Sequence, residues 1–359
     1  MNMGLAMPNP VDVRQTVIEQ WLDKTLGQGL WHLEVASADA SFRRYFRVHC
    51  SPQQGANIKH LILMDAPPDR EDIKPWLAIA QRLRSAGLHT PEIHASDEQL
   101  GLILMEDLGN RWLLTALRQV EGKPAQVDTL YRPSLDALFQ MQQDTPSDDL
   151  PSYSEARLVA ELELFPKWFL STHLGYQPTC SEWDEIESVF TVSINQALQQ
   201  PKVFVHRDYH SRNILLGDAN NGHGGPGIID FQDAVHGPIT YDLVSLLKDC
   251  YIRWQPEQVQ AWMSRYHQRC LQAGMVDCNL HTFRRWFDFM GLQRHLKVLG
   301  IFCRLWYRDG KSGYLNDLPL VLDYVLEVCS RYGATLNFGR WLHELTDGRD
   351  LTKVNESAA

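Results

Sequence analysis

The segment VFVHRDYHSRNILL (203–216) places an aspartate, Asp208, and an asparagine, Asn213, on a polar loop between two apolar runs. Downstream, GIIDFQD carries a further short apolar run to Asp230, and the glycine-rich GDANNGHGGPG joins the two. A hairpin through that connection would bring Asn213 and Asp230 side by side. Phosphoryl transfer uses such a set. It asks little covalent chemistry of a protein, only a carboxylate to orient the attacking hydroxyl and oxygen donors for Mg²⁺ between the phosphates. Asp208 is the candidate base. Asn213 and Asp230 are the candidate metal ligands, because Mg²⁺ takes oxygen donors and keeps several waters. The competing reading, an ordinary loop aspartate and a turn asparagine, leaves the linked Asp230 unexplained.

Other polar residues lie around this set. His206 reads as a brace that holds the loop by hydrogen bonds. His210, two residues past Asp208, could approach the transferred phosphate. Asp233 suits either a contact to a second metal or the acceptor, or a solvated turn. Asp242, after GPIT, reads as a brace near a helix start. Arg294, His295, Lys297 and Arg304 fall in a helical stretch with Leu296, Leu299 and Phe302, where a solvated or salt-bridged face is the default reading.

The elements that must position these residues follow from periodicity. Val13, Val17, Ile18, Trp21 and Leu22 mark a helix over 11–26. WHLEVA (31–36), FRRYFRV (42–48) and HLILM (60–64) read as strands, and Pro67 and Pro68 force a turn after them. Ile73, Leu77, Ala80 and Leu83 mark a second helix that ends near Gly87, and LGLILMEDLG (100–109) supplies another strand. Helices follow over 128–143, 154–172 and 181–199, with Ser152 and Glu155 at capping-box spacing. Short β-branched runs interrupt them over 203–230, and helix returns beyond Thr240 to about Leu345. Strands first and helices later give an α+β chain with a small β-rich part and a larger, mainly helical one.

Composition bounds the function. With 359 residues, 44% of them hydrophobic, the chain can build one large domain or two unequal lobes. A net charge of −10 opposes a nucleic-acid partner and favours solubility, though it also suits a cationic substrate. The seven cysteines are scattered, odd in number and never spaced as CxxC, which reads as a reduced, cytoplasmic chain without structural zinc. No apolar run approaches the roughly 18 residues of a membrane span, and the first residues lack a signal-peptide pattern.

The H-x-D-x₄-N pattern followed by a strand ending D-F is similar to the catalytic loop and metal-binding aspartate of the protein-kinase-like superfamily. His210, where protein serine/threonine kinases carry lysine, resembles the aminoglycoside phosphotransferase/choline kinase branch. SFRRYFRV, LILMDAPP, DFQDAVHGPITYDLVSLLKDCY and GLQRHLKVLGIFCRLWYRDGK resemble more narrowly the anomeric N-acetylmuramate/N-acetylglucosamine kinases of bacterial cell-wall recycling. The resemblance implies a bilobal protein-kinase-like fold, with an N-lobe over 1–106 and a helical C-lobe over 107–359. It implies ATP and Mg²⁺ as cofactors, a hinge at Glu106 to Leu108 whose backbone meets adenine, and SADASF as the turn over the phosphates. That turn has no glycine, so Ser37, Ala40 and Ser41 must supply its backbone N–H groups and a hydroxyl.

A second departure concerns charge. Kinases of this fold place a lysine on the third strand, where HLILM here ends in Met64. Arg43 or Arg44 could supply the cation from the preceding strand, and alternation lets only one face inward. Arg44 is the one assigned. The expected activity is phosphorylation of the anomeric hydroxyl of N-acetylmuramate or N-acetylglucosamine, with a functional link to a sugar-1-phosphate uridylyltransferase. One of the cations at Arg294, His295, Lys297 or Arg304 would then meet the lactyl carboxylate of N-acetylmuramate. Two rivals stand beside it: a kinase of an aminoglycoside, choline or another cationic alcohol, and a catalytically dead kinase fold that acts as a binding protein.

Overall fold

Alternation along the first strands gives each of them two faces, and the fold uses both. The structure, a computed structural model, describes residues 10–38, 43–51, 60–217, 225–311 and 313–355. Strands β1 (Trp31–Ala38), β2 (Arg44–Cys50), β3 (His60–Asp65), β4 (Ile93–Asp97) and β5 (Leu102–Glu106) form one antiparallel sheet in the order β1-β2-β3-β5-β4. Helix α1 (Pro10–Leu26) covers one face, where Ile18, Trp21 and Leu22 pack on Phe46, Val48, Leu61, Leu63, Leu102 and Leu104. The opposite face turns Met64, Ile103 and Met105 toward helix α2 (Lys74–Ser85), whose Trp76, Ile79, Ala80 and Leu83 join them in the main core. Each such fully buried side chain contributes about 1.5–3 kcal/mol.

The remainder is mostly helical: α3 (Leu113–Gln119), α4 (Pro124–Asp144), α5 (Glu155–Leu162), a π-helix (Phe165–His173) and α6 (Cys180–Leu198) precede two small ribbons. Strand β6 (Lys202–Val205) pairs with β9 (Val235–Pro238), and β7 (Ile214–Leu215) with β8 (Gly227–Ile228). Helices α7 (Tyr241–Leu247), α8 (Pro256–Gln272), α9 (Leu280–Tyr307), α10 (Leu318–Cys329) and α11 (Leu336–Thr346) complete the chain. Together the sheet and the helical lobe make a bilobal, protein-kinase-like α+β fold.

Several expectations need correction. Strands β4 and β9 were not foreseen, because IHASD has only two apolar residues and VHGP contains both strand breakers. The helix expected over 154–172 divides at Leu164, just before Pro166, into α5 and the π-helix. Its N-cap is Ser154, whose hydroxyl accepts the Arg157 N–H, rather than Ser152, which bridges to His236 of β9.

The largest correction concerns α9. Of the solvated or salt-bridged face expected for Arg294, His295 and Lys297, the solvated form is excluded because α9 is wrapped by α5, α6, α7, α8, α10 and the π-helix, while Lys297 does form an ion pair, with Glu161. All three are buried, and each of them is partnered. Close approach of the π-helix depends on Gly300. A Cβ there would lie 2.3 Å from the Leu164 carbonyl oxygen, a backbone atom that cannot swing aside. Gly300→Ala should therefore destabilise the protein by about 1–3 kcal/mol in urea denaturation, although alanine ordinarily favours a helix interior by about 1 kcal/mol. Unchanged or raised stability would show that the contact does not constrain the packing.

Candidate active site

Strand β6 delivers the chain into the loop His206 to Asn213, and the loop is pinned from behind. Asp242, fully buried in the first turn of α7, accepts the backbone N–H of His206 at 2.6 Å and that of Arg207 at 3.0 Å. Arg207 adopts φ +78°, a left-handed conformation costly for a side-chain-bearing residue. Three anchors hold it there: Asp242 on its N–H, Arg294 Nη1 donating to its carbonyl at 3.0 Å, and Glu161 accepting from its Nη2 at 2.8 Å. His206 accepts the Asp208 N–H through Nδ1 at 3.3 Å, the bracing role expected of it.

Asp208, Asn213 and Asp230 come together at the end of this loop. Ile214 pairs with Ile228 across β7 and β8, which sets Asn213 beside the residues entering Asp230. Asn213 Nδ2 donates to the Asp208 carbonyl at 3.0 Å and to Asp230 Oδ2 at 3.1 Å. Asp230 is also left-handed, at φ +65°, and its Oδ1 accepts from Gln232 Nε2 at 2.9 Å. Next to it, Phe231 is fully buried against Trp76 of α2, ring centroids 5.0 Å apart.

The donor set suits Mg²⁺. The amide nitrogen of Asn213 is spent on Asp208 and Asp230, which leaves Oδ1 as its ligand-capable atom, one position from the Asp230 carboxylate. Among the described residues no group of three or more His, Cys, Asp or Glu could hold a metal by itself. Phosphates and water would have to complete the shell, the usual arrangement for Mg²⁺ in phosphoryl-transfer sites.

Charge around Asp208 favours its ionised form. Burial pushes the carboxyl up, but His210, Arg294, Lys297 and Arg207 outweigh burial and hold it below the usual carboxylate range. Behind the loop, Glu161 gathers the cations: Lys297 at 3.0 Å and Arg207 at 2.8 Å, with Tyr153 and Gln293 also donating to it. Burial opposes that charge too, yet Lys297 and Arg207 lower the Glu161 pKa to about 2.

The remaining candidates separate clearly. His210 is half-buried, its ring edge against Tyr251 at 5.4 Å; burial lowers its pKa, while Asp249 and Asp208 oppose that by favouring the charged ring. Arg294 is committed to the Arg207 carbonyl and the Tyr241 hydroxyl, so it braces the loop rather than facing solvent. His295 belongs to the core: it is fully buried, stacked on Tyr324 at 4.8 Å and bonded to the Lys248 carbonyl at 2.9 Å, with no surface for a ligand. Asp233 sits on an exposed turn. Arg304, near the end of α9, is half-exposed, and its Nε has no hydrogen-bond partner.

In the sheet, the assignment of Arg44 needs correction. Arg44 lies two residues before Phe46 and so shares the α1 face, where its guanidinium joins Arg14 on the buried carboxylate of Asp65. Arg43 is the residue that turns inward. It pairs with Glu71 just before α2, and its Nη1 stands 4.0 Å from Asp230 Oδ1. The Glu106 carboxylate is engaged by His89 at 3.2 Å and by the Glu92 N–H at 3.2 Å. Leu108 packs on Gly227, where a Cβ would lie 2.9 Å from its Cδ1, and Arg47 of β2 ties to Asp107 at 2.7 Å, so the hinge is fastened to both lobes. Ser37 lies one residue before the end of β1, opposite Tyr45, while Ala40 and Ser41 lie outside the described residues. Nothing local in the sequence marks Glu71, whereas Asp242 is the brace near a helix start that its position after GPIT suggests.

A sheet lobe beside a helical lobe, with the Asp208 loop, the Asn213 amide and the Asp230 carboxylate joined by hydrogen bonds, suits a kinase-like phosphotransferase. The description "Phosphotransferase enzyme family" matches residues 32–276, and the chain belongs to that family. It is 40% identical, over 94% of its length and 99% of theirs, to the N-acetylmuramate/N-acetylglucosamine kinase of Pseudomonas aeruginosa. With that of Neisseria meningitidis it shares 38% identity over 94% of this chain and 98% of the relative. Solved structures share the fold at low identity. ADP-bound aminoglycoside phosphotransferase APH(2'')-Ib superposes with a TM-score of 0.56 at 14% identity, covering 87% of this chain and 98% of that one. Choline kinase LicA from Streptococcus pneumoniae gives 0.59 at 10% identity, covering 89% and 99%.

The buried histidines make acid stability testable. Burial lowers the His295 pKa to about 3, far below its ordinary 6.5. The unfolded chain therefore binds the extra proton between these values, and the contribution is complete above pH 6.5 and lost as pH falls toward 3. Asp242 acts with the opposite sign, since burial raises its pKa to about 7. The difference between wild type and His295→Gln isolates the histidine, because glutamine can still donate to Lys248 without titrating. Between pH 6.5 and 4 the wild type should lose stability more steeply than the variant, by up to about 1.4 kcal/mol per pH unit. Parallel curves would contradict the assignment.

Proposed function

We propose that this protein transfers the γ-phosphoryl group of ATP to the anomeric hydroxyl of N-acetylmuramate or N-acetylglucosamine. One observation carries the reading: Asp208, Asn213 and Asp230 form a single hydrogen-bonded constellation at the lobe junction, in a chain 40% identical over 94% of its length to kinases of those sugars. Asp208 orients the acceptor hydroxyl and takes its proton as the oxygen bonds to phosphorus and ADP leaves. An anomeric hydroxyl suits a carboxylate base, because the ring oxygen makes it more acidic than an ordinary alcohol. Asn213 and Asp230 hold Mg²⁺, which when bound neutralises charge on the phosphates. The backbone of Glu106 and Leu108 meets adenine.

The charges near Asp208 oppose a cationic acceptor. Arg207, Arg294 and Lys297 all lower its pKa from within reach of its field, and an aminoglycoside or choline would have to approach them. An anionic group fares better. Arg304, with an Nε lacking a partner and a neighbouring Arg308, is the cation best placed in chemistry to receive the muramyl carboxylate. His210 rests against the acceptor side of the loop, and Asp233 borders it. The seven cysteines are all free and no described helix is long and apolar enough to cross a membrane, which supports a cytoplasmic kinase. Its sugar 1-phosphate product has the chemistry a uridylyltransferase consumes.

Three measurements test this. Asp208→Asn should lower kcat by about 10² to 10⁴, the range for loss of a general base, and near-normal turnover would unseat Asp208. Phosphorus NMR should show no phosphate product from 1-deoxy-N-acetylglucosamine; a product would move the transfer to another hydroxyl. Arg304→Ala should raise KM for N-acetylmuramate about tenfold or more while leaving N-acetylglucosamine within about twofold, as expected for a lost charge-assisted bond. Equal effects on both sugars would remove Arg304 from carboxylate recognition.

A further inference from the structure

Met64 fills the inward position of β3 as a buried member of the main core, so no cation reaches the cleft from that strand position. We infer that Arg43, held by Glu71, is the group that grips the nucleotide phosphates, so that the task a third-strand lysine performs in other kinases is done from the start of β2. The inference rests on the kinase reading above and names a residue that reading leaves unassigned.

Register decides which arginine is available. Tyr45 pairs with Met64 and Arg44 with Asp65, so Arg44 shares the α1 face with Phe46 and Val48 and is consumed by Asp65. Arg43, one residue earlier, turns the other way. It is 8% exposed, its Nη2 is bound by Glu71, and its Nη1 is directed at Asp230, 4.0 Å away. A guanidinium carries five N–H donors in a rigid fork, so one edge can hold Glu71 while another faces an anion. A lysine and glutamate pair performs this double duty in protein kinases.

Asp230 already accepts from Asn213 and Gln232. A divalent cation on Asp230 would draw off part of that carboxylate's charge and leave the guanidinium edge 4.0 Å away able to take a second anion. The phosphates of the nucleotide are that anion, and a fork-shaped donor matches their oxygens.

The test reads nucleotide binding directly, by calorimetric titration of ADP with Mg²⁺, alongside KM values for ATP and for the sugar. Arg43→Ala should raise the Kd for ADP and the KM for ATP about 10- to 100-fold, the range for charge-assisted bonds, with KM for the sugar within about threefold. Arg43→Gln, which keeps a donor for Glu71 but no charge, should show the same split and stands in if the alanine variant fails to fold. Adding Met64→Lys to Arg43→Ala should recover part of the affinity. Arg44→Ala should lower Tm yet leave the Kd for ADP within about twofold. An unchanged Kd in both Arg43 variants, or a loss in Arg44→Ala that the Arg43 variants lack, would overturn the inference. Because ADP binding is measured without an acceptor, an error in the assigned sugar leaves this test intact. A wild-type chain that binds no ADP overturns both readings.

Discussion

The amide N–H groups of His206 and Arg207 both point at a single buried carboxylate, that of Asp242. This contact fixes the loop more firmly than any other, because it determines the direction in which the backbone leaves β6. Arg207 is held left-handed at a cost of about 1–3 kcal/mol, and it persists there only because its N–H, carbonyl and side chain are each tied to a different residue. With Arg207 so placed, the Asp208 carbonyl meets the Asn213 amide. The constellation is thus assembled from behind, by groups that touch no substrate.

Those supporting groups form one electrostatic unit. Glu161 alone balances Lys297 and Arg207, and the Tyr241 hydroxyl accepts from both Lys297 and Arg294. Buried charges are tolerated only when paired, and here pairing has a directional result. The cations are drawn behind the loop, close enough to keep Asp208 ionised while each is held by partners of its own. A carboxylate that stays ionised without a direct salt bridge remains open to accept a hydroxyl proton.

What the sequence reveals follows the range of the interaction. Asn213 and Asp230 are readable as neighbours because a short hairpin leaves two strands little choice of register. The faces of β2 are not readable in the same way. Alternation shows that Arg43 and Arg44 diverge, but which of them meets the cleft depends on where α1 lies, a fact of tertiary packing that FRRYFRV does not encode. Helix α9 defeats periodicity for a related reason. Arg294, His295 and Lys297 have the spacing of a solvated face, yet elements arriving from both sides of the sequence bury the helix. Strand β9 hides its pairing with β6 behind a glycine and a proline.

The two lobes meet at Asp230 through contacts of opposite character. Phe231, its neighbour, packs on Trp76 of α2, while Arg43 spans from Glu71, just before α2, toward the Asp230 carboxylate. One contact is apolar and insensitive to salt; the other is ionic and largely shielded from water. One ends on α2 and the other on the segment that leads into it. Any displacement of α2 would therefore withdraw the aromatic support and the cation together, so the shape of the metal loop and the charge beside it cannot vary independently. Met64 strengthens that coupling, since its buried side chain joins β3 to the α2 core where a lysine would have opened a polar gap. A cation moved to β2 thus lets the third strand become part of the packing that holds α2 in place.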